Sequence, residues 1–185
     1  HEMINEMQKA QGEKIHAVAI HAGHYAQPFL EEPDFRTAEG DSLNNFFDAN
    51  SMGYPCGLVN RRYVEGQEQT IVSRAVWVEF ARNFSAEDAP VNLWVGSAYD
   101  PDTRMLTINV EGYYTADVDA TFNALNVLIA QSGIFGPQSG GSAGNFYIHN
   151  HVLRDYITPI WGDTITSCKA GDFFRKQYVY EVPAD

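Results

Sequence analysis

Cysteine is scarce in this chain of 185 residues, where Cys56 and Cys168 stand far apart. Two such residues supply neither a metal-ligand pair nor a disulfide framework, and the count alone leaves the redox compartment open. Positive charge is scarce too, with 12 Lys and Arg against 24 Asp and Glu and a net charge of -12. Duplex binding needs clustered Lys and Arg to displace counterions. Here the basic residues are dispersed, Arg61-Arg62 being a pair and not a patch, so nucleic acid is excluded as a partner. The acidic residues are scattered as well and read as a hydrated surface. Nowhere do about 18 apolar residues run consecutively, so no helix of this chain spans a membrane. The first residues, His1 to Lys9, lack the charged-then-apolar pattern of a signal peptide.

What is present belongs to an ordinary globular protein: 44% hydrophobic, 13% aromatic and 19% charged residues, enough apolar material for one large core or two small ones. The pattern changes at Ser85-Ala86-Glu87-Asp88-Ala89-Pro90, which sets a domain boundary between 1–87 and 88–185. Before it, helical spacing dominates. Met3, Ile4, Met7 and Ala10 predict a helix closed by Gly12, and Thr37–Asn50 predicts another through Leu43, Phe46 and Phe47. Thr70–Phe84 predicts a third, with Val72, Val76, Phe80 and Phe84 on one side. The nearly continuous run Ile15–Ala22 suits a strand buried on both faces of a parallel sheet. Gly53-Tyr54-Pro55 breaks the second helix, Cys56–Arg62 reads as a strand, and Tyr63–Gln69 as a turn with a short partner strand.

After Pro90 the alternation is that of strands: Val91–Tyr99, Met105–Thr115, Ala124–Ile134, Phe146–Tyr156 and Phe173–Val182. Leu106, Ile108 and Val110 alternate with Thr107, Asn109 and Glu111, as a half-buried antiparallel strand requires. The fold class is therefore α+β with two domains, the second an antiparallel immunoglobulin-like β-sandwich. Such a sandwich usually holds about seven strands, which leaves open that this one is incomplete.

Residues able to carry chemistry are few. His21 and His24 end the first strand at the carboxyl edge of the expected parallel sheet, where ligands gather in α/β folds, and neutral imidazole is a common metal ligand. No Cys, Asp or Glu adjoins them to complete a set, and hydrogen-bonded structural histidines are the alternative. His149 and His151 would project from one face of a strand and invite the same two readings. His149, Asn150 and Arg154 lie among the apolar Ile148, Val152 and Leu153, as a surface contact or a tie between domains. Asn60 and Arg61 could cap or bridge the interdomain seam, since Arg makes multi-donor contacts with carbonyls and carboxylates. Tyr113, Tyr114, Phe122, Phe135, Tyr147, Tyr156 and Trp161 are numerous enough for a recognition face, although most are expected in the core. Neither a His-Glu-x-x-His helix nor a phosphate-binding loop occurs, and Gln138-Ser139-Gly140-Gly141 reads as a flexible connection between strands. No cofactor is called for.

Val18-Ala19-Ile20-His21-Ala22-Gly23, Asp34-Phe35-Arg36-Thr37-Ala38-Glu39-Gly40 and Gly53-Tyr54-Pro55-Cys56-Gly57-Leu58-Val59-Asn60-Arg61 together carry a resemblance. It continues in Leu125-Asn126-Val127-Leu128-Ile129, Gly136-Pro137-Gln138, Ile148–Arg154 and Trp161-Gly162-Asp163. In these blocks the chain resembles the 28-kDa outer-membrane lipoprotein family of anaerobic Gram-negative bacteria. The resemblance implies a thioredoxin-like first domain, here lacking its first strand and a Cys-x-x-Cys segment, and a location in the cell envelope. It also implies a lipid anchor upstream of His1. Pro55 matches the cis-proline of thioredoxins, so Tyr54, Pro55 and Cys56 would line the groove beside the redox pair. Cys56 then has a catalytic or disulfide role open to it, including a bond to Cys168. Without a second thiol nearby it cannot complete a dithiol cycle, and a small buried strand residue is the alternative. The leading expectation is a binding protein of the envelope, adhesin-like and without an intact active site, whose partner is a protein or surface ligand. The alternatives are a thiol-disulfide oxidoreductase whose dithiol lies upstream of His1, and a metal-binding protein using His21 and His24.

Overall fold

The fold is that of a computed structural model, which describes residues 2–63, 66, 69–138, 146–166 and 168–184. The chain is α+β and falls into two compact units, residues 1–87 with 128–155, and residues 88–127 with 156–185. The first unit thus ends its opening stretch at residue 87, beside the acidic break, and recovers a second stretch from the strand-rich half.

In the first unit, α1 (Glu2–Gln11) ends at Gly12, whose φ of +61° favours glycine, and packs against α4 (Trp77–Ser85). Thr37 caps α2 (Ala38–Phe46) by accepting a hydrogen bond from the Gly40 amide at 2.9 Å. The expected single helix over 37–50 is two, because Asp48 adopts a left-handed φ of +51° before α3 (Ala49–Met52). The peptide joining Tyr54 to Pro55 is cis. β1 (Cys56–Leu58) is shorter than expected, since Asn60 and Arg61 both turn left-handed, and it pairs antiparallel with β2 (Ile71–Ser73). Most of the turn expected over 63–69 lies outside the described residues.

β2 replaces the first turn of the helix expected over 70–84. Ile71 and Val72 are β-branched and buried against β1, and pairing there outweighs their place in a helical stripe. Ser73 then accepts from the Ala75 amide, and the chain passes through a short 3-10 turn into α4. The stretch Ile15–Ala22 is corrected more sharply. It is held by isolated parallel bridges, Ala19 to Val152 and His21 to Arg36, and its burial alternates, leaving Val18 and Ile20 exposed instead of covered on both faces.

In the second unit, β3 (Val91–Asp100), β4 (Met105–Tyr114) and β11 (Phe173–Glu181) form one antiparallel sheet with β4 in the middle. β5 (Asn123–Leu125) pairs with β10 (Asp163–Ile165), a strand the sequence did not suggest. Tyr114, Ile165 and Cys168 make a buried core, with Val91, Val118, Leu125 and Phe174 packed on it. Gly112 lets the Phe174 ring lie against β4; a Cβ there would stand 2.1 Å from that ring.

The long strand expected over 124–134 is three: β5, β6 (Leu128–Gln131) and β7 (Ile134–Gly136), interrupted before β7 by Gly133 at φ +79°. The strand expected over 146–156 likewise splits into β8 (Tyr147–His149) and β9 (Val152–Tyr156), because His151 takes a φ of +59°. β7 pairs with β8 and β6 with β9.

Candidate functional site

The first unit brings His21 and His149 together. Residues 19–21 are fixed on one side by Ala19, whose amide donates to the His151 carbonyl at 2.7 Å and whose carbonyl accepts from the Leu153 amide at 2.9 Å. On the other side His21 bridges to Arg36. His149 ends β8 opposite Ile134, and Gly136, two residues on, leaves room beside it: a Cβ at Gly136 would meet Phe35 at 3.2 Å and His149 at 3.4 Å. The two imidazoles stand edge to face with ring centres 5.3 Å apart. Phe35, itself buried, touches both, at 5.3 Å from His21 and 4.8 Å from His149, and Tyr147 closes the far side at 4.8 Å.

Beside this pair is a cavity of about 300 Å³, lined further by Tyr25, Phe29, Glu32, Pro137 and Gln138. That is at the small end of the range typical of ligand pockets. Glu32 is shaped by its own turn: its carboxylate accepts from the Phe29 amide at 2.9 Å, and Glu31 holds a left-handed φ of +70°. Tyr25 and Phe29 stand 78% and 76% exposed at the rim, followed by Leu30 at 93%.

The electrostatics at His21 are those of a neutral ring. Burial, reinforced by the nearby positive charge of His149 and Arg154, pushes the His21 pKa down to about 4. At neutral pH His21 is uncharged, and its Nδ1 is buried with no hydrogen-bond partner. His149 is 1% exposed, with Nε2 at 3.2 Å from the Pro137 carbonyl. A carbonyl can only accept, so Nε2 carries the proton, and in the neutral ring Nδ1 carries the lone pair.

A second constellation surrounds Pro55. The Tyr54 hydroxyl bonds Asn44, and Asn50 at 2.8 Å, while Asp41 accepts from the Gly23 amide at 3.1 Å. The Tyr54 ring meets Tyr25 at 5.8 Å, so the groove residues and the cavity rim touch. Cys56 is half-buried, its Sγ 3.7 Å from the Ala49 carbonyl, and burial raises its pKa. Such a thiol is protonated at neutral pH and a poor nucleophile. Both cysteines are free, and Cys168 is buried in the core of the second unit, its Sγ 3.2 Å from the Ile165 carbonyl.

Of the other residues singled out, His24 is exposed and turned to Tyr25, not to His21. Asn60 and Arg61 occupy an exposed left-handed turn. Asn150 accepts from the Gly133 amide at 3.0 Å, and Arg154 is exposed on β9. The loop read into Gln138-Ser139-Gly140-Gly141 lies, from Ser139 onward, outside the described residues. Gly140-Gly141-Ser142-Ala143-Gly144, absent from the candidates drawn above, has the spacing of a nucleophile elbow and lies there as well. It leads within three residues into strand β8, whereas an elbow leads into a helix. Sequence reasoning also missed Phe35, Tyr25, Glu32 and Gly136 as neighbours of the histidines. Their signal was present only as separate blocks, Asp34-Phe35-Arg36 and Gly136-Pro137-Gln138, with nothing local to join them.

A family model described as outer membrane protein Omp28 matches residues 41–185. The chain belongs to the Omp28 family. Its place is therefore the cell envelope or outer membrane. The matched stretch includes Tyr54, Pro55, Cys56 and His149, while His21, Tyr25 and Phe35 precede it. Among the described residues of this Omp28-family chain, no helix is long and apolar enough to cross a membrane. No curated protein and no solved structure matches the chain significantly.

Proposed function

We propose that this Omp28-family protein is a non-enzymatic binding protein of the cell envelope, adhesin-like, which meets a protein or surface ligand through its first unit. The observation that carries this reading is the rim formed by Tyr25, Phe29 and Leu30, three large side chains 76–93% exposed in consecutive turns beside a cavity. Exposed aromatic anchors of this kind mark interaction sites, because they contribute large contact area when desolvated. Cys56 is compatible with the same reading: its thiol is half-buried and its pKa is raised by burial, which makes it a poor nucleophile. A photo-crosslinking residue at Phe29, in the protein displayed at the envelope of intact cells, is expected to give a discrete adduct, and one at exposed Asp102 none. Equal labelling from both positions would overturn the proposal.

The second reading is a thiol-disulfide oxidoreductase of thioredoxin-like fold whose dithiol lies upstream of His1. It is supported by the place of Pro55, which the resemblance matches to the thioredoxin cis-proline, directly before the antiparallel β1–β2 pair that leads into α4. An immunoglobulin-like second domain is supported in the same measure by the antiparallel β3–β4–β11 sheet packed on a shared core with the β5–β10 pair. Reading the encoded residues upstream of His1 separates the two functions: a Cys-x-x-Cys segment there would favour redox chemistry, and residues without cysteine would leave the binding reading.

A further inference from the structure

We propose that His21 and His149 together bind one divalent transition-metal ion of the zinc or copper class, with water completing its coordination from the cavity. Two imidazoles that ligate one ion tetrahedrally at zinc–nitrogen distances of about 2.0–2.1 Å have ring centres about 5.2 Å apart. The observed separation is 5.3 Å. His21 Nδ1 is buried and has no hydrogen-bond partner, a state that normally disfavours burial unless something occupies the position. On His149, the bond from Nε2 to the Pro137 carbonyl is the outer contact that orients ligating histidines and leaves Nδ1 as the donor atom. The roughly 300 Å³ cavity beside the rings has room for water ligands, and Glu32 lines the same cavity.

Arg154 opposes an incoming cation, while the chain's net charge of -12 favours one. Among the described residues no group of three or more His, Cys, Asp and Glu side chains is placed to hold a metal. The site is therefore open, with two protein ligands and exchangeable positions facing the cavity. The proposal stands apart from the partner-binding reading, since the ion could be held whether or not the rim meets a partner.

Chelator-stripped protein is titrated with cobalt(II) alone, and zinc(II) is then used to displace it. The expected result is one ion per chain with visible cobalt bands, and affinity at least about tenfold weaker in His21→Gln. His24→Ala should leave binding unchanged. Zinc-dependent shifts of the His21 and His149 ring nitrogens in nitrogen-15 NMR report the same event without any variant, should His21→Gln not fold. No stoichiometric uptake, uptake that a folded His21→Gln retains in full, or uptake lost only with His24→Ala would each overturn the assignment.

Discussion

The β3–β4–β11 sheet of the second unit runs in unbroken register from Val91 to Asp100 and from Phe173 to Glu181, each strand meeting its neighbour along almost its whole length. In the first unit the β1–β2 and β7–β8 ladders hold three pairs apiece, and the segment carrying His21 is attached by single bridges. A long ladder spreads its stability over many equivalent pairs, each contributing a fraction of a kcal/mol. A site assembled from short pieces rests on a few fully buried side chains where those pieces cross. The two units should therefore answer differently to the same kind of damage.

The largest difference is expected at Leu153, 1% exposed and next to Val152 at 0%, where β9 meets the His21 segment. Leu153→Ala should cost about 2–5 kcal/mol through lost burial and the cavity left behind. Leu93→Ala on edge strand β3, at a position 57% exposed, should stay within about 0.5 kcal/mol. Urea unfolding followed by hydrogen exchange assigns each loss to its unit. Equal costs at the two positions would remove the contrast.

Acid should act on the first unit next. His21 has its pKa depressed from 6.5 to about 4 in the fold, so between those values the unfolded chain binds the extra proton. Stability from this group is therefore complete above about pH 6.5, falls as the pH drops, and levels off below about pH 4. At about 1.36 kcal/mol per unit, and allowing for partial solvent screening, the loss amounts to about 2–3 kcal/mol. Denaturant midpoints of metal-free protein across that window test it, and His21→Gln should flatten the slope.

The second unit's sheet was legible in the sequence because strand alternation is a local property. Leu106, Ile108 and Val110 announce their face without reference to anything distant. The cavity was not, because residues 21, 35, 136 and 149 meet through a chain return, and no periodicity records that β7 to β9 join the earlier segment. In the sequence His21 was grouped with His24, whereas in the fold its ring meets that of His149. His24 lies three residues away in sequence, and a left-handed Gly23 at φ +70° turns the chain between them. Helix limits failed for a related reason: of the stripe at Val72, Val76, Phe80 and Phe84 only Phe80 and Phe84 lie on α4, because Ile71 and Val72 gain more from pairing with Leu58 and Gly57. At Asp48, His151, Asn60 and Arg61 left-handed turns cut elements short at residues whose side chains tolerate that conformation unevenly.

Within the second unit, two glycines refine the comparison. An added Cβ at Gly112 on central β4 would strike the Phe174 ring, which is itself packed on the core. Gly112→Ala should cost about 1–3 kcal/mol as overpacking. At Gly96 the obstructing group is the Trp94 ring, 56% exposed and free to swing into solvent. Gly96→Ala should change stability by less than about 1 kcal/mol, read from the same denaturation curves.

The smallest effect is expected where the sheet looks most firmly tied. Arg175 on β11 and Glu111 on β4 sit directly opposite and form a two-pronged ion pair across the strands. The Arg175 side chain is 67% exposed, so water and salt compete for its charge throughout. Exposed pairs of this sort contribute about 0.2–1 kcal/mol, reduced further by the cost of fixing two long side chains. A double-mutant cycle with Arg175→Ala and Glu111→Ala should therefore give a coupling below about 1 kcal/mol that shrinks in high salt. A larger, salt-insensitive coupling would mean that this pair is shielded from water, and the even distribution of stability along the ladder would no longer describe the second unit.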